Sequence, residues 1–414
     1  MLRKKAIKCV ALVASIAMAI PMMAGCGGNS ADGKEHIQFF QKKPESVKIT
    51  NKLIKEFEAQ NPNITVEQQT ASNPITVLKS RMAKNDVPDV ITADGTYYND
   101  LVKANILTEQ TGTTAYKSVA NKSYYDYLHK IGQTKKNYVV PWSIIGEGVL
   151  YNKDIFSKLG LTAPTTWDEF VQTAQKIKDA GQQPFIFTWK DADPANKMAM
   201  AVAAPEQGKD FWDNLQKGKA SFAKNPGWKL SADRMLKLKT FAQEDPAGTD
   251  YDTGNSQFAN GKSAMYIQGI WAIPAILEAN PNIHLGFFVL PTRDQPNTTP
   301  LISGTDALIG VSSASKHQKA AQKFLTFLLS KKIQKEYTDD QNLLSVRSDV
   351  PANTDVLKAM KADYIDKGKT CIFPDVMFTG ASDMQGLSQE FLEKGDVNTY
   401  LNALDADFQK NGIK

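Results

Sequence analysis

The strongest constraint on the fold is the alternation of strand and helix signals between residues 36 and 95. His36-Ile-Gln-Phe-Phe40 is an apolar run of strand length, followed by the polar loop Gln41-Lys-Lys-Pro-Glu45. Ile49, Leu53, Ile54 and Phe57 then recur at helical spacing until Asn61-Pro62 stops the helix. Ile64-Thr-Val-Glu-Gln-Gln69 reads as the next strand. Residues 75–84 read as a helix with Leu78 and Met82 in register, and Pro88-Asp-Val-Ile-Thr92 as a third strand ending at Ala93-Asp94-Gly95. A β-α-β-α-β order implies a parallel sheet covered by helices. In open sheets of this kind, ligands sit outside the carboxyl ends of the strands.

Further along, Tyr138-Val-Val-Pro-Trp142 and residues 147–152 are both extended, with a crossing between two lobes expected between them. Thr166-Trp-Asp-Glu169 is a capping box, and Phe170, Ala174 and Ile177 form the apolar stripe of the helix it starts. Gly181 ends that helix. Pro184-Phe-Ile-Phe-Thr-Trp189 reads as a strand with a tryptophan at its carboxyl end. Residues 211–257 alternate helical patterns with loops, and Trp228 is expected in a loop. Gly261-Lys262 suits a turn, and Ala264-Met-Tyr-Ile267 a strand that stops at Gly269 and presents Trp271. Residues 285–291 form another strand. Residues 301–311, with Gly304 and Gly310, form a return crossing; Ala321, Phe324, Leu325 and Leu328 an amphipathic helix; and residues 389–408 a helical tail. The chain has 414 residues, which suggests two domains. It has no internal repeat and no low-complexity segment.

The first 25 residues are not part of this fold. Arg3, Lys4, Lys5 and Lys8 precede an apolar run from Val10 to Met23, and Ala24-Gly25 stand directly before Cys26. This is a secretory signal, and a small pair before cysteine resembles the lipoprotein box. Met23 takes the place of the usual leucine. Residues 26–35 then read as a flexible tether. Removing the signal leaves 45 basic against 44 acidic residues, so the basic balance of the precursor is largely a targeting effect and gives no argument for nucleic acid. Cys371 is the one cysteine left after the signal and Cys26, so no disulfide framework is expected.

The residues offer little for catalysis or metals. Gly261-Lys262-Ser263 lacks the earlier glycine of a phosphate loop, since Ser256 stands there. His36, His129, His284 and His317 have no ligand spacing, and CxxC and GxSxG are missing. Tyr97-Tyr98 and Tyr124-Tyr125 are adjacent pairs whose members point to different sides of any element. No cofactor or metal is expected. Trp271, taken alone, suits either the core or a ligand platform.

The motifs taken together resemble a family. The lipobox, Pro88-Asp-Val90, Tyr151-Asn-Lys153 with Leu159-Gly160, and Pro164-Thr-Thr-Trp-Asp-Glu169 occur in order, followed by Gly261-Lys-Ser-Ala-Met265 with Gly269-Ile-Trp271, and Ala320-Ala-Gln-Lys-Phe-Leu325. This resembles the family 1 extracellular solute-binding proteins, carbohydrate receptors of ABC importers, across essentially all of the mature chain. The resemblance implies an α/β, two-lobed periplasmic-binding-protein-like fold. Each lobe would be a mixed or parallel sheet flanked by helices, and the hinge would be crossed three times. It implies a first lobe of residues 36–142 plus 303–335 and a second of 143–302 plus 336–414. It implies an oligosaccharide ligand, permease subunits as partners, a lipid anchor on the outer face of the cytoplasmic membrane, and a monomer.

A pyranose offers a C–H face to a flat aromatic and a rim of hydroxyls to rigid donors and acceptors. The resemblance points to Trp189 and Trp271 as stacking aromatics. It points to Gln41, Lys42, Glu45 and Asp94 as polar partners from the first lobe, to Trp142, Gly304 and Asp306 at the hinge, and to Arg347 and Asp383 in the carboxy-terminal region. Ile145 stands where maltose receptors carry a hinge glutamate, so maltose chemistry is not implied. An extracellular glycoside hydrolase, which needs two carboxylates about the bond, is the enzyme alternative. A receptor for a non-sugar solute is a second, and an adhesive role a third. The lipobox makes a direct prediction: Cys26→Ala should release protein into the medium or leave it unprocessed, as read by fractionation and blotting. Normal processing with retention on the membrane would exclude lipidation.

Overall fold

A computed structural model describes residues 33–413 apart from 72 and 209. The expected signal segment, Cys26 and the tether as far as residue 32 lie outside these residues. Among the described residues, no helix is long and apolar enough to cross a membrane. The strands are β1 (Glu35–Phe40), β2 (Ile64–Gln69), β3 (Val90–Ala93), β4 (Val140–Pro141), β5 (Ser143–Asn152), β6 (Met265–Gly269), β7 (Leu285–Phe288), β8 (Leu301–Thr305), β9 (Leu308–Val311), β10 (Leu344–Ser345) and β11 (Thr370–Cys371). They form two sheets with helices packed against them.

The first sheet has the order β2-β1-β3-β9-β4. β1 runs parallel to both β2 and β3, as the strand–helix alternation implies, while β9 lies antiparallel to β3 and to β4. The helix Val47–Gln60 buries Ile49, Leu53, Ile54 and Phe57, the stripe read from spacing. Phe39 of β1 and Phe57 of that helix both meet the edge of Phe324, at 5.3 and 5.0 Å between ring centres. The helix Gln318–Leu328 is thereby fixed to the first sheet.

The second sheet is built on β5. β8 and β10 pair with its first half, and β6 and β7 with its second, all antiparallel. β11 adds to β8 in parallel. The capping box closes with both bonds in place: Glu169 N–H donates to the Thr166 hydroxyl, and Thr166 N–H to the Glu169 carboxylate. Trp228 lies in the helix Pro226–Lys239 and not in a loop, because Asn225 caps that helix and Pro226 starts it. The tail is two helices, Met384–Lys394 and Val397–Asn411, separated at Gly395, whose φ of +80° suits glycine.

Residues 184–189 do not form the expected strand, and Trp189 begins a turn. Phe185 makes a single bridge to Met265. Beyond it the backbone bonds are taken by other groups: the Gln243 amide both accepts from Phe187 N–H and donates to Phe187 C=O, and Trp189 N–H donates to Pro246 C=O.

The backbone passes between the sheets at Trp142 and again at Asp306-Ala307. These two passages are bonded to each other, Trp142 N–H to Ala307 C=O at 2.8 Å and Asp306 N–H to Ser143 C=O at 2.9 Å. A third passage follows the helix Lys331–Gln341 and enters β10. Gln334 ties the set together: its amide donates to Trp142 C=O and accepts from the Ser345 hydroxyl. The Trp142 indole is fully buried and stacked on Tyr337, with centres 4.0 Å apart and planes at 11°. The ring, expected at the ligand, is placed in the core and not on the cavity wall, with Phe39 edge-on at 6.4 Å between centres. Trp142→Ala should cost about 3–5 kcal/mol of folding stability in a urea titration. A loss below about 1 kcal/mol would show that the stack is not holding the passages.

Candidate functional site

A cavity of about 490 Å³ lies between the two sheets, walled by residues from both and floored by the passages. Its first-sheet wall is the loop after β1, with Lys42, Lys43 and Glu45, and the loop after β3, with Asp94. Both sit at carboxyl ends of parallel strands, where loops converge. Its other wall holds Asp193 and Lys197 from the helix Ala192–Ala203, Trp271 after β6, Phe373 and Asp375 after β11, and Gln385. Ile145, Thr305 and Asp306 come from the passages.

The aromatic surface follows from local backbone. β6 ends at Gly269, and Ile270–Ala272 form one tight turn before the next helix, which folds the Trp271 ring back over the strand end. A Cβ at Gly269 would fall 1.9 Å from the indole Cζ3, so only glycine admits this placement. Phe373 lies over Gly304, where an added Cβ would make an ordinary 3.4 Å contact, and its ring centre is 6.1 Å from that of Trp271. Trp271 stays half-buried while Phe373 is buried.

The polar groups are arranged as ion pairs. Lys42 pairs with Asp94, which also caps the helix Gly95–Lys103 by accepting from Tyr97 N–H. Lys43 pairs with Asp306 at 2.7 Å, and Asp306 accepts a further bond from the Ser143 hydroxyl. Lys197 pairs with Asp375 at 2.6 Å and lies 5.1 Å from the Phe373 ring centre. Burial works against the Lys43 charge, but Asp306, Tyr337 and Glu45 together outweigh it and hold the pKa above the ordinary value. Burial likewise opposes the Lys197 charge, and Asp375 and Asp193 outweigh it. For Lys42 burial wins, and its pKa is lowered.

Glu147 lies just behind this wall. It stands in β5 opposite Gly269 and Ile302, on the sheet face that the Trp271 ring covers at Gly269. Its carboxyl is buried, and neither oxygen has a hydrogen-bond partner among the described residues. Burial pushes its pKa well above the carboxylate range; Lys197 opposes the shift and Asp375 and Asp193 add to it.

Of the residues expected from the sequence, Lys42, Glu45, Asp94, Trp271 and Asp306 line the cavity, and Gly304 lies beneath Phe373. The others are placed elsewhere. Gln41 is buried, and its amide bonds to Thr50, Thr92 and Lys43 N–H, shaping the loop from inside. Trp189 is buried and stacked on Phe187, with centres 5.0 Å apart. Arg347 is outside the cavity, engaged by Asp349 and Leu329 C=O. Asp383 is exposed at the head of its helix, and Gln385, two residues on, reaches the cavity. Lys43, Asp193, Lys197, Phe373 and Asp375 were missed. The spacing of Asp193 and Lys197, one turn apart just after Trp189, was the available signal. No group of three or more His, Cys, Asp or Glu side chains among the described residues is placed to hold a metal ion.

Residues 43–335 match the family model described as bacterial extracellular solute-binding protein. The chain belongs to that family. This solute-binding protein is 28% identical to the multiple sugar-binding protein of Streptococcus mutans, over 97% of this chain and 99% of that one. Its fold is similar to that of the solute-binding protein RafE in complex with raffinose, with a TM-score of 0.81 at 26% identity, covering 91% of this chain and 99% of that one. The apo form of RafE from Streptococcus pneumoniae gives 0.76 at 26% identity, covering 93% and 99%. Two sheets with flanking helices around one cleft are the architecture the sequence resemblance implied.

Glu147 gives a pH prediction. Its ordinary value is 4.5 and its folded value lies well above, so folding favours the protonated form. That contribution is complete below about pH 4.5 and is lost as pH rises toward the folded pKa, at up to about 1.4 kcal/mol per pH unit. Glu147→Gln should therefore be more stable than the parent at pH 8 in urea titrations, with the advantage shrinking toward pH 4. An advantage that is constant with pH would show that the carboxyl is not held protonated by the fold.

Proposed function

We propose that this solute-binding protein is a lipid-anchored receptor on the outer face of the cytoplasmic membrane. In this reading it captures an oligosaccharide in the cleft between its lobes and delivers it to the permease subunits of an ABC importer. The observation that carries the proposal is the Trp271 ring, half-exposed on the cavity wall beside polar side chains from both sheets. A flat aromatic suits the C–H face of a sugar, and the surrounding carboxylates, lysines and Gln385 suit its hydroxyls. The names of the Streptococcus mutans relative and of the RafE complex speak for the same ligand class.

The lobes of this reading are the two sheets with their helices, and the bonded passages at Trp142, Asp306-Ala307 and residues 342–343 are its hinge. Closure would bring the β1 and β3 loops against Trp271. Lipid attachment through Cys26 rests on the sequence before it, and monomeric action on the family's usual mode.

An aromatic anchor in a desolvated site is typically worth ~2 kcal/mol or more on truncation. Trp271→Ala should therefore weaken sugar binding roughly thirtyfold by calorimetry. The ligand-free variant should keep most of its stability, because the ring is only half-buried. Normal affinity in a strongly destabilised variant would place Trp271 in the core and remove the centre of this reading.

A further inference from the structure

We propose that the cleft selects an uncharged, hydroxyl-rich ring and rejects acidic sugars such as uronates, because each lysine on its wall is already held by a carboxylate of the protein. The inference rests on the sugar-receptor reading and narrows it to a ligand class.

Three lysines line the cavity, Lys42, Lys43 and Lys197, against five carboxylates, Glu45, Asp94, Asp193, Asp306 and Asp375. Every lysine has its own partner, Asp94, Asp306 and Asp375 respectively. Two of those partners have little contact with water: the side chains of Asp306 and Asp375 are 8% and 5% exposed. A ligand carboxylate that drew Lys43 or Lys197 away would leave a buried carboxylate uncompensated, which is the expensive way to break an ion pair. If it drew none away, it would enter a wall whose charge is already negative.

The unused hydrogen-bonding capacity points the same way. One carboxylate oxygen of Asp375 takes the Lys197 ammonium, while the other, Oδ1, is buried and has no partner among the described residues. The Thr305 hydroxyl is likewise buried without a partner on the cavity floor. Buried polar atoms are nearly always satisfied in a working state. Asp375 Oδ1 can be satisfied only by a donor. A sugar hydroxyl donates, whereas an ionised carboxylate only accepts.

The experiment compares each neutral sugar with its own acid. Raffinose, maltotriose and cellotriose, and the uronic acid made from each by oxidising C6 of a terminal hexose, are titrated into the purified protein at pH 7.5 by calorimetry. At least one neutral sugar should bind, and its acid should bind more than tenfold more weakly. An acid that binds within tenfold of its parent, or binds where no neutral sugar does, overturns the charge argument while leaving the receptor reading intact. Silence from all six sugars removes the receptor reading, and this inference with it. Asp375→Asn then separates charge from shape, because it frees Lys197 and keeps the side chain's size. The acid should regain at least fivefold relative to its parent sugar; an unchanged ratio overturns the inference. Asp94→Asn, which frees Lys42, serves as the second variant if Asp375→Asn fails to fold, and the same ratio decides.

Discussion

The antiparallel pairing along β5 is the interaction on which the rest of the molecule depends. Four strands bond to its ten residues, and eight of those residues are buried. Because its first residue directly follows Trp142, the same strand that organises the second sheet also begins at the boundary with the first. Its alternating side chains put Ile145 on the cavity floor and Glu147 behind it. Its partners set the positions of the cavity aromatics, since Gly269 of β6 and Gly304 of β8 are both paired to it. A one-residue slip along β5 would turn this whole set to the other face of the sheet.

The first lobe was legible because its signals are local. Strand-length apolar runs, helical stripes such as Ile49 to Phe57, and the Asn61-Pro62 stop act within a few residues of themselves. So did the capping box at Thr166. The strand expected at residues 184–189 failed because its backbone groups found partners at Gln243 and Pro246, about sixty residues away in the chain. Trp142 and Trp189 show a similar gap for the site. A tryptophan at a strand end has the same local sequence whether its ring meets Tyr337, Phe187 or a ligand, and only the tertiary partners decide. Trp271 differs because Gly269, two residues earlier, leaves space for the ring to fold back, and that glycine was visible in the sequence.

The cavity residues that were missed are those brought in from distant segments. Asp375 and Phe373 follow a two-residue strand that has no composition signal of its own, and Lys197 matters because Asp375 comes beside it. Charges that look like a solvated helix face in sequence, such as Asp193 and Lys197, become cleft electrostatics once the β11 turn packs against them. The ion pairs also spare the cleft a reorganisation cost. Lysine side chains held in place before ligand arrives have less rotational freedom to lose on binding.

The position of Trp271 directly on Gly269 has a consequence for how such a cleft can diversify. The indole rests on bare backbone, so the floor there has no side-chain layer left to shave away. Any other residue at 269 would lift the ring toward the opposite wall, as the 1.9 Å approach of an added Cβ shows. Depth at this point is already at its limit, and change at 269 runs in one direction, toward a shallower groove. New ligand shapes would therefore have to come from the loops of the facing wall, which can lengthen, shorten or exchange side chains without disturbing a strand.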